Sequence, residues 1–120
     1  MKEKIEFSEF LEIEKKLEIR IGQISNVETV PNSYGLKLTV NFDSGDELTN
    51  ECSFGSKTCF TNLGKTHKPE DLVGKTCPFI MNLEPSVIKG VTSTVMIMPG
   101  ELNGEIILDK NNYKLGTKLM

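Results

Sequence analysis

Residues 69–98 read PEDLVGKTCPFIMNLEPSVIKGVTSTVMIM, and this stretch decides the fold. It reads as strand, tight turn, strand. Lys75 to Leu83 forms the first strand and Val91 to Met98 the second, with Pro85 and Gly90 shaping the link between them. Just upstream, Pro69-Glu70-Asp71-Leu72 resembles one helical turn, opened by a proline where a missing N–H does no harm. Asn82 closes the first strand and Ser93 opens the second. A hairpin of this kind places an amide and a hydroxyl side by side on one face. Such groups suit hydrogen bonding to a base edge, a sugar or a peptide backbone. Neither is a nucleophile with a visible base, so the stretch argues for binding before chemistry.

Working outward, the same alternation marks further strands. Leu17, Ile19 and Ile21 alternate with Glu18, Arg20 and Gly22, and Ile24 and Val27 follow, which predicts a half-buried strand. Gly22 within it predicts a bulge or a sharp bend. Val30 to Gly35 is a turn, and Leu36, Leu38, Val40 and Phe42 make a second alternating strand. Asp43-Ser44-Gly45-Asp46 is a hairpin turn, and Leu48 to Leu63 supplies one strand or two. Asn103-Gly104 is another turn, Glu105 to Leu108 is a last short strand, and Gly116 lies in the tail. At the other end, Ser8 is placed to cap a short helix over Glu9 to Lys16, with Phe10, Ile13 and Leu17 spaced to face a core. Short strands with little helix mean a small β-barrel or sandwich. A bent first strand and about five core strands favour the oligonucleotide-binding (OB) barrel.

Bulk properties narrow the function. A chain of 120 residues, 38% hydrophobic and 26% charged, suits one soluble domain. The net charge of −3 gives no global basic field, so any nucleic-acid site must be a local patch. No apolar run approaches the ~20 residues needed to cross a bilayer. The start, MKEKIEFSEF, is charged where a signal peptide needs an apolar core. A cytoplasmic protein without membrane insertion is therefore expected. Cys52, Cys59 and Cys77, odd in number and irregularly spaced, argue against a disulfide framework and read as small buried hydrophobes.

Catalytic patterns are missing. His67, the single histidine, sits in a polar loop and is expected to be a solvated side chain. Cys52, Cys59, His67 and Cys77 are separated by seven, eight and ten positions, whereas structural zinc ligands come in close pairs. Neither a glycine-rich phosphate loop nor a paired-carboxylate motif occurs. No enzyme activity, metal or cofactor is expected. Met81, Met96 and Met98 suit either a peptide groove or a strand with one buried face.

Three blocks resemble a known family. Lys16 to Ile24 (KLEIRIGQI), Lys68 to Lys75 (KPEDLVGK) and Asn82 to Ser93 (NLEPSVIKGVTS) are similar, in order and spacing, to the free-standing tRNA-binding domain proteins. These include CsaA-like proteins and are related to the C-terminal domain of bacterial methionyl-tRNA synthetases and to the endothelial monocyte-activating polypeptide. The resemblance spans most of residues 14–119. It implies an all-β OB-fold, a five-stranded barrel with a short N-terminal helix and a C-terminal extension used in dimerisation. Residues 1–13 are then an N-terminal extension or short helix, and residues 14–120 the tRNA-binding domain. By position, the resemblance implies RNA contacts at Asn82, Ser93 and Met96, with Lys89 facing phosphate. Arg20, Lys37, Lys57, Lys65, Lys68 and Lys75 are further candidates for phosphate contact.

The departures from the family pattern also carry information. Glu84, Ser86 and Val87 stand where the family often has basic residues, and Ser33-Tyr34-Gly35-Leu36 replaces a basic turn. Each lost phosphate contact weakens binding and flattens its salt dependence. The segment 46–60 is longer than the family's. Two functions follow from the resemblance. One is a tRNA-binding module that takes an unpaired base of structured RNA. The other is a CsaA-like chaperone for unfolded or export-bound polypeptides, with an apolar groove at a homodimer interface.

Overall fold

The computed structural model describes residues 2–43, 55–102, 105–107 and 115–119. The turn expected at 43–46, Cys52, most of the long segment 46–60 and the turn at 103–104 lie largely outside the described residues.

The first long strand is β1, Ile19–Thr29. Its C-terminal half pairs antiparallel with β2, Leu36–Asn41, and its N-terminal half with β4, Thr76–Ile80. β3, Ser56–Thr61, lies outside β2, and β7, Met96–Ile97, lies outside β4. The sheet order is thus β3-β2-β1-β4-β7. The two outer strands approach each other through the backbone: the Thr94 N–H donates to the Thr58 carbonyl at 2.9 Å. The result is a nearly closed five-stranded barrel, as the alternating sequence predicts.

Inward-pointing residues of successive strands fill the barrel. Leu36, Leu38, Val40 and Phe42 alternate inward from β2 and its end, as their spacing requires. They meet Ile24, Cys59, Cys77, Phe79 and Val95 in one core. The Phe42 and Phe79 rings pack edge to face, with centroids 5.5 Å apart. Cys59 and Cys77 are buried within it. The one-turn helix α2, Pro69–Leu72, opens on its proline as expected and buries Leu72 in the core.

Gly22 has a different role from the expected bulge. A Cβ there would come within 2.5 Å of the Phe42 ring, so the residue is bare to let that ring into the barrel. The register irregularity falls later, between Ile24 and Asn26.

The 69–98 stretch also departs from a plain hairpin. β4 ends at Ile80, where the expected strand runs on to Leu83. A small hairpin follows, β5 (Ser86–Ile88) and β6 (Val91–Ser93), before the chain returns as β7. Pro85 lacks a ladder donor, which separates β4 from β5. Lys89 and Gly90 form the hairpin tip with φ of 52° and 82°, the positive pair a type I′ turn requires. β8 (Gly100–Leu102) and β9 (Glu105–Ile107) form a separate two-stranded ribbon.

The N-terminal helix α1 spans Phe7–Lys16, two residues earlier than Ser8 capping predicts. It buries none of its residues, contrary to the expected packing of Phe10 and Ile13. Leu17, at its end, is half-buried. No helix among the described residues is long and apolar enough to cross a membrane.

Candidate nucleic-acid interface

Where β3 meets β6 and β7, the barrel seam carries a shallow groove of about 120 Å³. Phe60, Leu83, Glu84, Ser86, Ile88, Ser93, Thr94, Val95 and Met96 line it. Sites for drug-sized ligands run to about 300–1,000 Å³. This groove has room for one flat group or one side chain.

Ser93 is part of the seam itself. Its Oγ accepts the Phe60 N–H at 3.1 Å and donates to the Val95 carbonyl at 3.2 Å. A hydroxyl has one proton and two lone pairs, so Ser93 keeps one acceptor position for a ligand. Met96 extends from β7 with 54% exposure and supplies a polarisable apolar wall. Phe60 and Glu84 line the groove as well, although the sequence pattern does not mark them as site residues. Phe60 ends the segment 46–60, longer than the family's, and Glu84 carries a signal only as the loss of a basic residue.

Asn82 is placed differently. Its Oδ1 accepts the Glu18 N–H at 2.9 Å, and its amide N–H donates to the Lys16 carbonyl. Asn82 therefore ties the end of β4 to the junction of α1 and β1, while Ser93 ties β6 to β3. The amide and the hydroxyl, expected side by side, are directed at separate backbone partners. The Asn82 amide retains one donor and one acceptor beyond these bonds.

The cations divide among several places. Lys37 stands directly opposite Phe60 in the β2–β3 register, on the outer face beside the groove. Its ammonium is 3.8 Å from Glu28. Lys57 is opposite Val40, which puts it on the other face of β3. Lys89 is exposed at the tip of the β5–β6 hairpin. Arg20 is mostly covered: it pairs with Glu18 at 2.8 Å and donates to the Gly116 carbonyl at 2.8 Å. The groove thus gathers Ser93 and Met96, has Lys37 alongside, and does not gather Arg20 or Lys57. His67 also differs from expectation. It is half-buried, with Nδ1 2.8 Å from the Thr66 hydroxyl.

Residues 19–118 match the family described as "Putative tRNA binding domain". The chain belongs to the tRNA-binding domain family. Among relatives of this domain, the methionine–tRNA ligase of Bacteroides fragilis is 36% identical over 99 residues, 82% of this chain and 13% of the ligase. That of Thermococcus kodakarensis is 32% identical over 120 residues, 98% of this chain and 14% of the ligase. The match to the ligases is therefore to a small part of each. Two solved structures share the fold. The chaperone CsaA of Bacillus anthracis superposes with a TM-score of 0.69 at 27% identity, covering 98% of this chain and 100% of that one. A MetRS related protein of Pyrococcus horikoshii gives 0.73 at 24% identity, covering 99% and 100%.

Proposed function

We propose that this tRNA-binding domain is a non-catalytic module that grips structured RNA through the seam groove. One unpaired base would lie against Phe60 and Met96, with its polar edge reaching the free lone pair of Ser93. The observation that carries this reading is the groove's composition. It joins an aromatic ring, a thioether and hydroxyls on the outer face of an OB barrel, in a chain of this family. Stacking on such surfaces tolerates any base, because every base has a π-face. Lys37 and Lys89 would flank the strand as phosphate contacts. Arg20 and Lys57 would meet phosphate only at a distance from the groove. Asn82 would act chiefly by positioning the chain that enters it.

A salt-series mobility shift with total tRNA tests the proposal, comparing wild type with Met96→Ala, Ser93→Ala and Glu84→Lys. Binding that weakens steeply with salt is expected, because phosphate contacts release counterions. Met96→Ala should weaken it. Glu84→Lys should tighten it and steepen the salt slope by about 0.7 to 0.9, the contribution of one added phosphate contact. No binding to tRNA at low salt, or binding indifferent to salt, would sink the reading.

A second reading has its own support. Ile88 and Leu83 are exposed apolar residues lining the same groove, and Glu84 disfavours phosphate there. These features suit an extended polypeptide, as a CsaA-like chaperone would bind. Suppression of a client's aggregation, reversed by peptide and by RNA alike, would indicate one shared site. We also propose a homodimer, supported by the uncovered apolar side chains of α1.

A further inference from the structure

A second niche of about 120 Å³ lies where the β1–β2 turn meets the connection between β3 and α2. Tyr34, Leu36, Gly64, His67 and Pro69 are among its lining residues. Tyr34 is 65% exposed on a turn held firmly from within. The Ser33 hydroxyl donates to the Val30 carbonyl and accepts the Gly35 N–H, both at 3.0 Å. The Val30 N–H donates to the Gly35 carbonyl, also at 3.0 Å. Gly64 allows the opposing connection to approach, since a Cβ there would strike the Tyr34 carbonyl oxygen. A large aromatic ring is thus kept in water on a fixed support, which core packing does not require.

Its surroundings are cationic. The Lys65 ammonium stands 5.7 Å from the Tyr34 ring centroid, within cation–π range. Lys68 is exposed nearby in the same connection. No carboxylate lines the niche among the described residues. The niche also neighbours the seam groove. The Phe60 ring, which lines the groove, lies against Gly35, which lines the niche.

We propose that Tyr34 and Lys65 form a second base-binding site, in which an unpaired base stacks on the Tyr34 ring while its phosphate pairs with Lys65. The site rests on the RNA-binding reading above and extends it. A single strand would cross from Met96 and Ser93, over Phe60, to Tyr34. The turn Ser33-Tyr34-Gly35-Leu36, which replaces a basic turn of the family, thus offers a ring for stacking in place of a cation for phosphate. RNA is favoured over polypeptide because a cation flanks the ring with no acid beside it, which matches a base joined to a phosphate.

The test uses the whole chain with two probes, total tRNA and a short oligo-adenylate. Tyr34→Ala should weaken binding by about 5- to 150-fold, the range for loss of one stacked base. Tyr34→Phe should bind like wild type, and Tyr34→Leu should fall near Tyr34→Ala. Lys65→Ala should lower the salt slope by about 0.7, one single-strand phosphate. The chain has no tryptophan, so Tyr34→Trp introduces a single emitter whose fluorescence should be quenched by oligo-adenylate. If wild type binds neither probe at low salt, this site and the reading beneath it both fall. If wild type binds but the Tyr34 and Lys65 variants match it and the emission is unchanged, only this site is overturned. Equal losses in Tyr34→Phe and Tyr34→Ala would assign the effect to the hydroxyl and overturn stacking.

Discussion

At the scale of the residue, polar groups near the groove do double duty. Ser93 closes the barrel seam and still offers a lone pair; Asn82 clamps two elements and still offers a donor and an acceptor. Sequence made both visible as polar punctuation in apolar strands. Their direction was not legible, because it depends on partners 33 positions away for Ser93 and 64 or more for Asn82. The buried thiols were legible as small hydrophobes, and one has a measurable consequence. Burial pushes the Cys59 thiol up to about 11 from 9.0, with a backbone hydrogen bond at Ile97 opposing the shift. The folded protein therefore holds the proton more tightly than the unfolded chain. Stability from this group is complete below pH 9.0 and declines as pH rises towards 11. Unfolding free energy, measured by urea titration across that window, should fall less steeply with pH in Cys59→Ala than in wild type. Parallel pH profiles would contradict it.

At the scale of the element, period-two patterning carried the strands well where one face is buried. β2 shows this: four alternating apolar residues predict its inner face correctly. The hairpin was harder. A strand pattern from Val91 to Met98 does not reveal that Thr94 and Val95 break it, because the break serves the seam with β3. The tip of β5–β6 depends on backbone geometry. Gly90 has φ of 82° with nothing near a would-be Cβ, so only backbone strain opposes substitution. Gly90→Ala should cost about 1–2 kcal/mol. Chemical denaturation measures this, and an unchanged midpoint would show that the tip relaxes freely. The periodicity of α1 marks a helix, yet its apolar residues stay uncovered. An amphipathic pattern says which face is apolar, and nothing about what covers it.

At the scale of the whole molecule, the barrel was legible because five patterned strands leave few alternatives. The groove was less so, since it is assembled from β3, the connection at residues 83–84, β5, β6 and β7. Charge says little by itself: a net −3 is compatible with RNA only if the cations sit along one path. The α1 helix raises a question of assembly. Phe7, Phe10 and Ile13 leave 74%, 42% and 43% of their surface in water. Such a face suits a C2 partner, in which the same patch meets itself. Sedimentation should show a dimer, and Phe10→Asp should shift it towards monomer with the barrel's circular dichroism intact. A monomeric wild type at micromolar concentration would reject the assembly.

The segment near residue 118 has a consequence in time. The Gly116 N–H donates to the Ile21 carbonyl, the Ile21 N–H to the Thr117 carbonyl, and the Leu119 N–H to the Ile19 carbonyl. Arg20 reaches the Gly116 carbonyl across 96 positions of sequence. The N-terminal half of β1 is therefore completed by a segment synthesised much later, 96 positions on from Arg20 to Gly116. During synthesis that edge waits unpaired, open to adventitious strand pairing. Contacts this remote also slow the closing step. Refolding should thus end with the docking of residues 116–119, and a nascent chain stalled before them would be the form most in need of protection.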